Sequence, residues 1–86
     1  MPRISTFYGI VIEMYFDDHA PPHFHARYGG DEATIVIATG EVLAGALPRR
    51  ALRLVREWLD QHRAELAANW RRARAHRPLV PVEPLT

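Results

Sequence analysis

His23-Phe24-His25-Ala26-Arg27-Tyr28-Gly29-Gly30-Asp31-Glu32-Ala33-Thr34-Ile35-Val36-Ile37-Ala38 is the stretch that decides the fold. Successive side chains of a strand point to opposite faces. Phe24, Ala26 and Tyr28 therefore share one face of a strand, and His23, His25 and Arg27 share the other. Gly29-Gly30-Asp31 signals a tight turn, because glycine tolerates positive φ. Ala33, Ile35 and Ile37 then line the apolar face of a return strand over 32–38. The spacing predicts an antiparallel hairpin with one apolar and one polar face.

Working outward, Tyr8-Gly-Ile-Val-Ile-Glu-Met-Tyr-Phe16 reads as a preceding strand by its β-branched and aromatic content. Ile10, Ile12, Met14 and Phe16 share its apolar face, and Val11, Glu13 and Tyr15 its more polar one. On the other side, Thr39-Gly40 turns the chain into a short strand over 41–45. The expectation is an antiparallel meander of three or four strands spanning about 6–46.

Pro48 opens a helical region over 48–76, where its missing N–H costs nothing in the first turn. Leu47, Ala51, Leu54, Val55, Trp58 and Leu59 recur at helical spacing, and the pattern runs on through Leu66, Trp70 and Ala73. Trp58 and Trp70 fall on this apolar stripe as core anchors, and His62 and His76 fall at the helix surface or ends. One helix of ~28 residues would be ~42 Å long, against a radius of gyration of ~12 Å for a domain of this size. The mismatch predicts a break between 60 and 63, hence two helices packed on one sheet face. His62 with Glu65 three residues on resembles a capping box. Proline recurs every third residue in Pro78-Leu-Val-Pro-Val-Glu-Pro84, which favours an extended tail. Its apolar residues imply that it lies against the protein's own body.

The 86 residues suit one small α+β domain with a modest core. The chain is 48% hydrophobic and 24% charged, within the globular range. No apolar run reaches the ~20 residues that span a bilayer, and no signal-peptide pattern is present. A cytoplasmic location without membrane contact is the expectation. The absence of cysteine excludes disulfides, thiolate catalysis and cysteine-based zinc sites. All eleven basic residues are Arg. Residues 1–48 hold two Arg against six acids, whereas 49–77 hold nine against three. A basic helical half on an acidic β half suits a charged partner surface, nucleic acid or acidic protein, or simply a solvated helix face.

The chemistry concentrates in Asp17-Asp18-His19-Ala20-Pro21-Pro22-His23-Phe24-His25, which places three imidazoles and two carboxylates in nine residues. His23 and His25 project from one strand face, and Asp17, Asp18 and His19 can fold back towards them. Asp18, His19, His23 and His25 are the candidate ligands for a divalent transition metal such as Zn, Ni, Mn or Fe. Glu13 or Tyr15 could complete the set, and His62 less readily. A metal-free alternative makes His23 and His25 a general base and acid on a phosphodiester, with Arg27 stabilising the developing charge. In a third, purely structural alternative, the prolines stiffen a connection whose polar side chains bond the backbone.

These residues also resemble a known family. Met1-Pro-Arg-Ile-Ser5, Phe7-Tyr-Gly-Ile10, Met14-Tyr15, Asp17-Asp-His19, Pro21-Pro-His-Phe-His25 and Tyr28-Gly29 look like small bacterial proteins grouped as domain of unknown function 4160. Leu47-Pro48, Arg50-Ala-Leu-Arg-Leu-Val55, Trp58, His62-Arg63, Glu65-Leu66 and Asn69-Trp70 fit the same family. The resemblance implies no specific reaction. It implies a partner, because such proteins accompany a second small protein of the domain-of-unknown-function 2442 type, as in a toxin–antitoxin-like module. The expectation is therefore the toxin-like or effector half of a two-gene module, with RNA as a target. The alternative is a non-enzymatic module that binds a protein partner and uses the His/Asp hairpin as a structural or metal-holding element.

Overall fold

The computed structural model describes residues 2–16 and 18–86. Five strands, β1 (Arg3–Phe7), β2 (Ile10–Glu13), β3 (His23–Tyr28), β4 (Asp31–Val36) and β5 (Val42–Gly45), precede one helix, α1 (Arg49–Arg74). The strands form one antiparallel sheet in the order β1-β2-β3-β4-β5. The α+β class and the meander stand as expected. The strand count is corrected from three or four to five.

The additional strand arises at Tyr8 and Gly9. Both have positive φ, 50° and 79°, as a two-residue hairpin turn of the type matched to strand twist requires. The run expected to begin a strand at Tyr8 therefore turns there, and the residues before it pair back as β1. Phe7 faces Ile10 across this turn. At the far end of the sheet, Gly45 (φ 74°) lies opposite Ala33 of β4, and a Cβ there would collide with the Glu32 carbonyl oxygen. That carbonyl accepts the Ala46 N–H at 3.1 Å.

The two expected helices are also corrected: α1 is one element. No Gly or Pro interrupts residues 49–74, so nothing in the local chemistry ends its hydrogen-bond ladder. The size argument survives as a kink. A straight helix of 26 residues would be ~39 Å long, yet the molecule's greatest extent is 33 Å. His62, inside the expected window, takes φ −129° and ψ 22° and bends the helix there. Its Nδ1 and Glu65 Oε1 lie 2.6 Å apart. This pairing joins two side chains and caps no backbone N–H group. Among the described residues, no helix is long and apolar enough to cross a membrane.

The core lies between the helix and the apolar sheet face. Ile10, Ile12, Met14, Phe24, Ala26 and Ile35 are fully buried, as are Val55, Trp58 and Leu66. Trp58 packs tilted against Phe7 and edge-on to Phe24, with ring centroids 5.3 and 5.8 Å away. The tail lies on the body, as its apolar residues imply. Val82 and Leu85 are buried, and the Val82 N–H donates to the Ile4 carbonyl at 2.8 Å. Buried Asn69 clamps the tail by donating to the Val80 carbonyl (2.8 Å) and accepting the Val80 N–H (2.9 Å). Trp58 Nε1–H donates to the Glu83 carbonyl at 2.8 Å. These bonds satisfy backbone groups of a segment that forms no regular strand of its own.

Candidate metal centre

β3 sets the site. Its alternation sends Phe24 into the core at 0% exposure and turns His23 and His25 to the opposite face. The chain leaves β2 after Glu13 and returns through Pro21 and Pro22, so the loop folds Asp18 over the start of β3. Asp18 Oδ2 lies 3.1 Å from His23 Nε2 and 2.9 Å from His25 Nε2. One ligand atom from each of the three residues falls within 4.8 Å of the other two.

The remaining ring nitrogens point away from this centre. His23 Nδ1 is 2.7 Å from the Pro21 carbonyl oxygen, which can only accept, so Nδ1 carries a proton and donates it. In the neutral ring, the His23 Nε2 lone pair then faces a carboxylate oxygen. Two acceptors at that distance need a cation between them, either a proton or a metal ion. His25 Nδ1 lies 3.3 Å from Thr34 Oγ1 and 3.7 Å from Glu32 Oε2. Metal-ligating histidines characteristically engage their second nitrogen with a carbonyl or carboxylate, which fixes the tautomer and ring plane.

The spacing suits a metal. Ligand atoms ~2.1 Å from an ion and ~90° apart in angle lie ~3.0 Å from one another. Two imidazoles and one carboxylate leave further coordination positions open, the pattern of reactive rather than closed structural sites. His23 and His25 are buried, while the Asp18 side chain keeps 26% of its surface exposed, leaving an approach from the loop side.

Of the four residues expected as ligands, Asp18, His23 and His25 converge and His19 stands apart. Exposed His19 lines a neighbouring cleft with Phe16, Asp18, Arg74 and His76. Asp17 lies outside the described residues. Arg27, expected to stabilise charge on a substrate, donates from Nη2 to Glu13 Oε2 at 3.1 Å. Its charge is thus shared with a buried carboxylate before any anion arrives, which weakens the metal-free acid–base reading. Glu13 pairs with Arg27 and Tyr15 covers His25, so neither joins the three-residue cluster.

Tyr15, expected beside the cluster as a further ligand, enters as a ring partner instead, whereas Trp70 and Thr34 were not expected there. The Tyr15 ring stacks on His25 with centroids 4.1 Å apart and planes at 20°. Trp70 reaches from α1 to His23, 5.1 Å between centroids. Thr34 sits directly opposite His25 in the β3–β4 register, so the hairpin register alone would have pointed to it. Nothing in the local sequence indicates Trp70.

Tyr15 is a weaker acid here than an ordinary phenol. Burial pushes its phenol above the ordinary value of about 10, and the carboxylates of Glu32, Glu13 and Asp18 add to the rise, with Arg27 opposing. A proton held more tightly in the folded than in the unfolded chain contributes stability below about pH 10, and that stability is lost as pH climbs through the raised value. Tyr15→Phe is therefore expected to remove the highest-pH portion of the phenolate absorbance rise. It should also slow the loss of stability above pH 10. An unchanged alkaline titration would contradict this placement.

No curated protein and no solved structure matches the chain significantly. The sequence model of the family described as "Domain of unknown function (DUF4160)" matches residues 9–71, which include the whole His/Asp hairpin and most of α1, and the chain belongs to that family.

Proposed function

We propose that this protein is a metal-dependent effector domain in which Asp18, His23 and His25 hold one divalent transition metal. The observation that carries this reading is the convergence of both imidazole Nε2 atoms on a single Asp18 oxygen, 3.1 and 2.9 Å away, while each Nδ1 is engaged elsewhere. Bound at these three ligands, a metal would acidify a coordinated water and polarise an ester oxygen. Within the same proposal, the chain is the toxin-like half of a two-gene module, with a small protein of the domain-of-unknown-function 2442 type as its partner. RNA phosphodiesters are the target, and the arginines of α1 steer the polyanion.

Burial of both imidazoles favours a second reading. In it, the metal or hydrogen-bonded cluster stiffens the loop of a non-enzymatic module that binds a protein partner. Protein purified without a polyhistidine tag is expected to contain about one transition-metal ion per chain after dialysis against Zn²⁺ or Mn²⁺, and to lose it to a chelator. Metal-dependent cleavage of single-stranded RNA then supports the effector reading. Metal binding with intact RNA and tight partner binding supports the second. Absence of metal uptake overturns both forms of the metal centre.

A further inference from the structure

Beside the three ligands lies a cleft of about 290 Å³ lined by Phe16, Asp18, His19, Arg74 and His76. It joins two segments remote in sequence, the β2–β3 loop and the end of α1. Phe16 and His76 face each other across it, with ring planes at 17° and centroids 6.3 Å apart. Arg74 contributes a permanent positive charge. His19 adds an imidazole N–H donor, which a neutral ring also possesses. Among the described residues of the lining, Asp18 is the one anionic group, and it is the same carboxylate that faces His23 and His25.

We propose that this cleft is the phosphate subsite of the metal centre, binding one phosphodiester phosphate next to the position of the ion. The inference rests on the proposed function through Asp18 alone. A divalent ion at the three ligands brings more positive charge beside the cleft than the single proton that otherwise lies between Asp18 and an imidazole. The ion and Arg74 then attract a phosphate together. Guanidinium groups match phosphate oxygens in shape as well as charge. His19, which falls outside the ligand set, thereby gains a role as a phosphate contact.

The test titrates inorganic phosphate into the ¹⁵N-labelled protein, first metal-free and then loaded with Zn²⁺, following the backbone resonances of residues 16–19 and 74–76. Phosphate should perturb these resonances and bind more tightly after zinc loading. Arg74→Ala should keep zinc stoichiometry and melting temperature while weakening phosphate binding by about tenfold or more. Leu43→Ala, exposed on the edge strand β5, should leave it unchanged. A short single-stranded RNA should compete for the same resonances, and competition by free phosphate alone would reassign the site to phosphate monoesters. Zinc uptake with no phosphate perturbation, or equal phosphate affinity in Arg74→Ala and wild type, overturns the cleft and leaves the metal centre standing. Arg74-dependent phosphate binding without zinc uptake overturns the metal centre and leaves the cleft standing.

Discussion

His25→Ala is expected to reduce bound zinc from about one ion per chain to none at micromolar metal. Losing an outer contact of a metal-bound histidine costs about 10–100-fold in affinity, so loss of a ligand itself should cost at least ~10³-fold. The readout should not be confused with damage to the fold. His25 is buried, stacks on Tyr15 and bonds Asp18, so its removal also opens a small void, at a cost of about 1–3 kcal/mol. Asp18→Asn provides the second variant. It keeps the side-chain shape at a residue that is partly exposed and removes the anionic ligand.

The decisive quantity is the shift in melting temperature caused by metal, because it compares each variant with itself. Zinc at a hundred times its dissociation constant stabilises a folded site by about 2.7 kcal/mol. For a domain of this size that is roughly 10–20 °C. Wild type should show the shift, and both variants should lose it. A metal-induced shift retained in either variant sinks the assignment of that residue as a ligand. If wild type shows no shift but His25→Ala melts far lower, the hairpin cluster is structural.

The legible part of this site is the part that strand geometry dictates. His23 and His25 are two apart on a strand, so they had to share a face, and the short loop before them had to pass nearby. Within that loop no such rule applies. Asp18 and His19 are adjacent, yet one enters the cluster and the other lines the cleft beside Arg74. Loop residues have no fixed period, and tertiary contacts choose between neighbours. β1 was hidden for a related reason. Its alternation is broken by a register shift between Arg3 and Ser5, and its turn uses positive φ at Tyr8, a residue that rarely adopts it. The helical region was expected over 48–76 as two helices, and one helix spans Arg49–Arg74, because length argued for a break and propensity argued against one. A one-residue kink at His62 satisfies both.

Trp58→Ala is expected to have the largest effect on stability of any single substitution. Its side chain is wholly buried, lies against Phe7 and Phe24, and touches His62 at the kink with centroids 5.8 Å apart. Truncating a buried Trp to Ala costs about 3–5 kcal/mol in lost burial and cavity formation. The lost bond to the Glu83 carbonyl adds about 1 kcal/mol. A domain of this length has about 4–13 kcal/mol in total, so the variant should be close to half unfolded in mild urea. Trp58→Phe, which keeps most of the ring and loses the N–H, should retain most of the stability. Circular dichroism through a urea series checks both, and a Trp58→Ala midpoint near that of wild type would contradict this account of the core.

The same substitution should also reach the metal site. Trp58 holds Phe24, which lies between His23 and His25 in β3, and that anchoring turns both imidazoles outward together. Zinc affinity in Trp58→Ala should therefore fall in proportion to the folded fraction, and excess zinc should restore part of the lost structure by binding only the folded form. Metal-dependent recovery of the helical signal in this variant, and its absence in Trp58→Ala combined with His25→Ala, would tie the core to the site through β3. Equal behaviour of the single and double variants in zinc would separate them.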